Sequence, residues 1–319
     1  MMQIVLIGIG AGAAAALLFA SLASGSILAT LLFYLAPLPI LIAALGWSHW
    51  AALVAAVSAA SALAAGLGAY FFAAFLVAVG IPAWWLGYLT LLARPAADPA
   101  NVEWYPVGRL VFWAALIGTM MVAVAIPTLG TDRDSLQAGL RDTFERAIRL
   151  QGSASGGNIA DRPETQRLLD VLVQAIPPAA AVLATLLNLI NLWLAGRVVT
   201  VSGRLRRPWP DLSQLALPAS TPALLAAAVA GSFLPDLAGV LAGVLAAALL
   251  MAFAIAGFAV LHAITRNMAN RGVALAGAYA AVMVFGWPIL GMSLLGLLDT
   301  ALNIRARTAG KRGPPTLRT

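Results

Sequence analysis

Side chains able to do chemistry are scarce in this chain, and the most telling pair is Asn188 and Asn191, three residues apart inside an apolar run. That spacing puts both amides on one helical face. There they need partners within a bundle, and they serve either as interhelical bonds or as ligand contacts. Pro37, Pro39, Pro82 and Pro288 also stand inside apolar runs. Proline removes a helical N–H, and the carbonyls it frees line cavities in many transporters; the plainer reading is a packing kink. His262, one turn before Arg266, is an end-of-helix side chain that could also take a proton-linked or ligand-binding role. Pro37, Pro39, Asn188, Asn191 and His262 make up the candidate small-molecule site. A second cluster, Asp299, Asn303, Arg305 and Arg307, lies in the segment GLLDTALNIRAR, where Asp299 and Asn303 share a helix face. It reads as an ion pair anchoring the helix or, together with Arg204, Arg206 and Arg207, as a docking site for a partner.

Catalytic groupings fail on inspection. Ser24-Gly25 with His262 is the one serine-type pairing, but the two ends fall on opposite sides of the expected bundle. Asp236 and Asp299 sit at span ends, away from the mid-membrane position an aspartyl pair needs. Two His and no Cys leave no basis for a zinc site, and no GxxxxGK[ST] loop is present to cradle a nucleotide. The sequence therefore predicts a protein that is not an enzyme and has no cofactor or metal.

The elements that must position these residues are written in the hydropathy. Apolar runs extend over about 3–23, 27–45, 50–67, 69–93, 108–129, 176–199, 219–235, 237–265 and 273–298, each near the roughly 20 residues that cross a bilayer. Of 319 residues, 62% are hydrophobic and 10% charged, which lies outside the range of water-soluble domains. The net charge of +7 sits at the ends of apolar runs, where it orients helices and meets anionic headgroups. It does not form the basic face that nucleic acid requires. Residues 3–23 read as a retained helix, since the first Arg is Arg94 and a signal peptide wants positive charge ahead of its apolar core. Trp47, Trp50, Trp84, Trp85 and Trp104 lie near span ends, as does His49, where amphipathic rings prefer the interface.

Charge bias sets the expected topology. The loops 94–109, 197–212 and 266–271 carry eight Arg against Asp98, Glu103 and Asp211, a balance of +5, whereas loop 130–175 balances at −1. The positive-inside rule puts the first group and the N-terminus in the cytoplasm and the long loop outside. Arg305, Arg307, Lys311, Arg312 and Arg318 should also be cytoplasmic, which nine crossings would prevent. Either 219–235 fails to cross, or Pro288 folds the last span into a hairpin. The expected fold is all-α: a polytopic transmembrane helical bundle of eight or nine membrane segments with an amphipathic helical extracytoplasmic loop. Its parts are 1–129, 130–175, 176–298 and a basic tail, 299–319. Within the loop, Leu136, Leu140, Phe144 and Ile148 form one helical stripe. A second helix starts at Asp161 and runs to Pro177-Pro178, with Leu168, Leu172 and Ala175 as its apolar face. Gly8/Gly12 and Gly239/Gly243 have the spacing of close helix approach.

Two stretches carry a family likeness. Tyr34-Leu35-Ala36-Pro37-Leu38-Pro39, followed by Leu45-Gly46-Trp47-Ser48-His49-Trp50, is the first. The second is Gly257 through His262, together with Gly296-Leu297-Leu298-Asp299 through Asn303-Ile304-Arg305. With the loop between the fifth and sixth spans, they resemble the YybS-like family of uncharacterised bacterial membrane proteins across nearly the whole chain. That family is distantly similar to the substrate-binding S-components of energy-coupling-factor transporters and to MreD-like shape-determination proteins; this chain has more spans and a longer outer loop than an S-component. The resemblance implies small-molecule capture or scaffolding. The expectation is a bacterial inner-membrane protein that binds or moves a small molecule near Pro37, Pro39, Asn188 and Asn191. The alternative is a structural subunit of an envelope complex, acting through Arg204–Arg207 and the tail on membrane or cytoplasmic protein partners.

Overall fold

The structure is a computed structural model that describes residues 1–95, 102–152 and 162–305. Asp98, Asp161, Arg307, Lys311, Arg312 and Arg318 lie outside them. Seven stretches among the described residues are long and apolar enough to cross a membrane: Met2–Ser24, Ile27–Gly46, His49–Leu67, Tyr70–Thr90, Val107–Thr128, Pro163–Val201 and Asp236–Ile264. The protein is an all-α polytopic membrane protein. Shorter apolar helices account for the rest of the expected segments. The 219–235 run holds α10 (Thr221–Gly231), 11 residues long and so about 16 Å against a hydrocarbon core of about 30 Å. The last run breaks at Gly286, whose φ of +70 suits glycine. It becomes α12 (Arg271–Phe285) and α13 (Pro288–Leu302), with Pro288 in the first turn of the second.

Contacts divide the chain into two compact units. The first comprises Met1–Ala114, Leu186–Ala219 and Ala252–Thr319, the second Ala115–Thr185 and Ser220–Met251. In the first unit, α1 (Met2–Ala20) lies against α4 (His49–Leu67). The α4 face is a stripe of alanines, Ala51, Ala52, Ala55, Ala56, Ala59 and Ala60, all buried. Opposite them stand Gly8 and Gly12. A Cβ on Gly12 would lie 2.6 Å from the Ala55 carbonyl and would collide with Ser58 Oγ, and one on Gly8 would come within 2.7 Å of Val54. Close approach of backbones without side chains between them is how helices gain dispersion contact in lipid. The second glycine pair works differently, since a Cβ on Gly239 would collide with Leu234 O in the turn just before its own helix.

Prolines break two of the first four spans. α2 (Ile27–Tyr34) ends at Leu35-Ala36 and α3 (Pro37–Gly46) begins on Pro37. Further on, α5 (Tyr70–Phe75) passes through a π turn at Leu76–Gly80 into α6 (Ile81–Thr90). Pro82, whose ring would press on the carbonyl four residues earlier, accounts for the widened turn. After α6 comes an antiparallel ribbon, β1 (Ala93–Pro95) and β2 (Val102–Trp104), where Arg94 and Glu103 face each other at 2.8 Å.

In the second unit, α8 (Arg133–Gly152) lays Leu136 and Leu140 on Ile126 and Val173, with Phe144, Ile176 and Leu237 packed around them. Leu136, Leu140 and Phe144 of the expected stripe are thus packed against their neighbours. Two expectations need correction. α9 (Pro163–Val201) is one helix of 39 residues with Pro177 and Pro178 inside it, not two helices meeting at the proline pair. Continuing the helix forfeits two N–H bonds, fewer than the terminal peptide groups that a new pair of helix ends would leave unpaired. The buried face of its first part is Leu169 and Val173, while Leu168 is exposed. Apolar residues on both faces left the rotation open. Arg141 of α8, bonded to Gln166 at 2.7 Å and paired with Asp170, selects one choice.

Replacing Gly12 with Val should lower thermal stability in detergent by about 1–3 kcal/mol, the usual cost of overpacking. Gly10→Val, whose Cβ would meet nothing within 4 Å, should leave the midpoint unchanged. Equal effects of the two substitutions would refute the α1–α4 contact.

Candidate ligand cavity

A cavity of about 900 Å3 opens within the first unit. Its walls come from the start of α7 (Val107–Ala125) through Leu110 and Val111, and from one face of α9 through Leu186, Leu189, Ile190 and Trp193. The end of α11 (Asp236–Ile264) adds Ile255, Phe258 and His262, and Leu45 of α3 completes the apolar wall. The loop after α9 closes one end with Leu205, Arg207, Trp209, Asp211 and Leu215, beside Arg266, Arg271 and Tyr279. Most of this lining is aliphatic or aromatic, with its charge concentrated in three arginines and one carboxylate. Binding sites for small molecules share that make-up: apolar walls and a few placed polar groups.

The loop is held down by its own polar residues. Arg207 is buried, 8% exposed, and its Nη1 donates to the Thr90 carbonyl at 3.3 Å. Burial holds its guanidinium below the usual arginine range. Arg204 lies over the Trp47 ring at 4.6 Å and Arg197 over Trp209 at 5.2 Å, both within cation–π reach. The Asp211 carboxylate accepts from Ser213 N at 3.0 Å, Ser213 Oγ at 2.7 Å and Gln214 Nε2 at 3.2 Å, and it faces Arg266 at 3.7 Å. The Ser213 hydroxyl bond, then the other hydrogen bonds and Arg266, hold this carboxyl below its ordinary range.

The end of α13 reaches the same loop. Asn303, with φ +50, ends the helix and donates its N–H to the Asp299 carbonyl at 2.8 Å. The chain then doubles back so that Arg305 donates N–H and Nε to the Asp299 carboxylate at 3.0 and 2.8 Å. Arg305 Nη1 also donates to Ser213 O at 2.9 Å. Asp299 is 5% exposed. Asp299, Asn303 and Arg305 are therefore brought together, and they join the helix end to the cavity loop.

The five residues of the expected small-molecule site fall in two places. His262 lines the cavity, and its Nδ1 bonds the Phe258 carbonyl at 2.9 Å. A carbonyl only accepts, so Nδ1 carries the hydrogen in this contact. Pro37, Pro39, Asn188 and Asn191 are not among the cavity-lining residues. Asn188 and Asn191 are buried, 5% and 0% exposed. Asn191 Nδ2 donates to Tyr34 O and Leu187 O, each at 2.9 Å. In an unbroken helix the Tyr34 carbonyl would take the Leu38 N–H, but here Leu38 bonds Leu35 O at 2.9 Å. The break at Pro37 frees a carbonyl, and the amide of Asn191 satisfies it. Of the expected docking residues, Arg207 is buried, whereas Arg204 and Arg206 are exposed. Among the described residues Arg206 reaches the Trp47 carbonyl, at 3.5 Å. Sequence reading passed over Trp193, Trp209, Arg266, Arg271 and Tyr279. Trp209, set between Pro208 and Pro210 beside Arg206-Arg207, carried a usable signal, since a proline-bracketed aromatic in a basic loop is poorly suited to free solvent.

Asn191→Ala should destabilise the protein by about 1–2 kcal/mol by leaving Tyr34 O unpaired. With Pro37 and Pro39 both changed to Ala, which lets the helix close its own bonds, the same substitution should cost clearly less; an undiminished cost in this double-mutant cycle contradicts the assignment. Asp211, whose carboxyl sits below its ordinary value near about 4, adds stability that is complete above that value. The contribution disappears as pH falls through the depressed folded-state value. Protection of the Ser213 amide, relative to the intrinsic exchange rate at each pH, should therefore fall below about pH 4 in the wild type and be low at all pH values in Asp211→Ala.

Neither the curated proteins nor the solved structures contain a match to the chain. One family model does match, over residues 13–300, and its span takes in every cavity-lining residue. On that evidence the chain belongs to the DUF2232 family of predicted membrane proteins, whose function is unknown.

Proposed function

We propose that this is a non-enzymatic inner-membrane protein that binds or moves a small molecule, with the cavity of the first unit as its binding site. The observation that carries the reading is an apolar chamber of about 900 Å3 with arginines at one end, within the size range of pockets that enclose small ligands. His262 is the contact shared with the sequence-based site. Pro37, Pro39, Asn188 and Asn191 act one step back: the Asn191–Tyr34 bond fixes the start of α3, and Leu45 of that helix lines the chamber. Charge bias puts the arginine end of the cavity in the cytoplasmic leaflet of a bacterial inner membrane, with the N-terminus on the same side. The likeness to YybS-like proteins, and through them to S-components, supports capture of a small molecule. Scaffolding draws less support, because Asp299 and Arg305 bond each other and Ser213 O within the chain.

Ile190 lines the cavity and is 49% exposed, so Ile190→Trp should fill space without disturbing the core. Native mass spectrometry of protein released from membranes should show a small molecule retained by wild type and lost from Ile190→Trp. Equal retention by the two, or none by either, contradicts the cavity as the functional site.

A further inference from the structure

We infer that the cavity takes an anionic amphiphile, a molecule with a phosphate-like or carboxylate head on a long apolar tail, and that Arg207 binds the head. The inference rests on the binding reading above and adds the class of ligand.

Arg207 carries five N–H donors. Among the described residues one of them goes to a backbone carbonyl, Thr90 O, and none to a carboxylate. Buried arginines are ordinarily paired, since an uncompensated charge loses its hydration with nothing in return. Among the described residues no carboxylate pairs with it, and the guanidinium borders an open chamber. Arg266 and Arg271 border the same chamber. The one carboxylate there, Asp211, already holds Ser213, Gln214 and Arg266. The electrostatic balance of the lining thus favours a bound anion, and the guanidinium fork matches the oxygens of phosphate or carboxylate.

The remaining walls exclude a small free anion as the whole ligand. Leu110, Val111, Leu189, Ile190 and Phe258 offer it no hydrogen bond, and filling that volume with hydrocarbon is favoured by roughly 25 cal/mol per Å2 of apolar surface removed from water. Head and tail together account for both ends of the lining. Trp193 and Trp209 lie beside the tail and head regions, where indole rings commonly mark the polar–apolar boundary.

The test uses the full-length protein in a neutral detergent, with dodecyl phosphate, inorganic phosphate and dodecanol as separate probes read by thermal shift and by native mass spectrometry. Dodecyl phosphate should bind the wild type at least tenfold more tightly than either of the others. Arg207→Gln should weaken it tenfold or more. Arg271→Gln, at an exposed position, should weaken it about threefold, so the result stands even if the Arg207 variant misfolds. Two outcomes overturn the inference: binding of dodecyl phosphate unchanged by Arg271→Gln and Arg207→Gln, or inorganic phosphate binding as tightly as the tailed form. Dodecanol binding that Ile190→Trp abolishes, without preference for the phosphate, overturns the anionic head while leaving a small-molecule site in place. Failure of all three probes to bind overturns the amphiphile and removes support for the cavity reading as well.

Discussion

In hydrocarbon a peptide group has no water to fall back on, and each unpaired N–H or C=O costs several kcal/mol. Every interruption of a helix in this protein therefore has to supply its own replacement. At the α2–α3 break the replacement comes from Asn191, an amide on a helix far away in sequence, which takes the carbonyl that Pro37 released. In the fourth span the ladder widens into a π turn ahead of Pro82, keeping a bond from Ile81 N to Leu76 O. Along α9 the same pressure acts the other way. The helix runs on through Pro177 and Pro178 because stopping would expose a whole set of terminal groups.

The loop after α9 obeys a different rule. It stands at the end of the spans, where water competes, and it is built from side chains more than from ladders. Arginine serves there three ways: over the face of Trp47, against the Thr90 carbonyl and, from α13, onto Ser213 O. Each contact uses the flat, weakly hydrated guanidinium, which a lysine ammonium does not reproduce. The arginine bias of the chain fits this use, since the same residues that orient helices also close the end of the cavity.

Much of this was legible beforehand. Long apolar runs fix the spans because their lengths match the bilayer, and the paired glycines of α1 announced a close approach that α4 meets with alanines. Asn188 and Asn191 were identified as groups needing partners, and Pro37 as a break, yet no local pattern links residues 34 and 191 across 157 positions. That pairing is tertiary, and it gives the Asn191 amide a structural partner at the α2–α3 break. The rotation of the first part of α9 was hidden for another reason. With Leu168, Leu169, Leu172 and Val173 all apolar, periodicity favoured no single face; Val173 is the one that packs with Ile126, Leu136 and Leu140, and Arg141 reaches Asp170 beside it. The cavity escaped notice because its lining is drawn from the ends of separate helices and one loop.

Position 207 brings these threads together. A buried lysine could shed its proton and so escape the cost of desolvation, but a guanidinium keeps its charge even when burial lowers its affinity for the proton. Choosing arginine for the least exposed basic site of the loop commits the protein to a permanent positive charge facing an apolar chamber. Such a charge is a liability to the isolated fold, since nothing within the described residues neutralises it. It becomes an asset once an anion arrives, because the low dielectric that makes the lone charge costly strengthens its attraction to a partner. The energetic shape of the site, unfavourable when unpaired and favourable when paired, is that of a binding device more than of a structural clamp; the clamps in this protein, Asp299 with Arg305 and Asn191 Nδ2 with the Tyr34 carbonyl, find their partners within the chain.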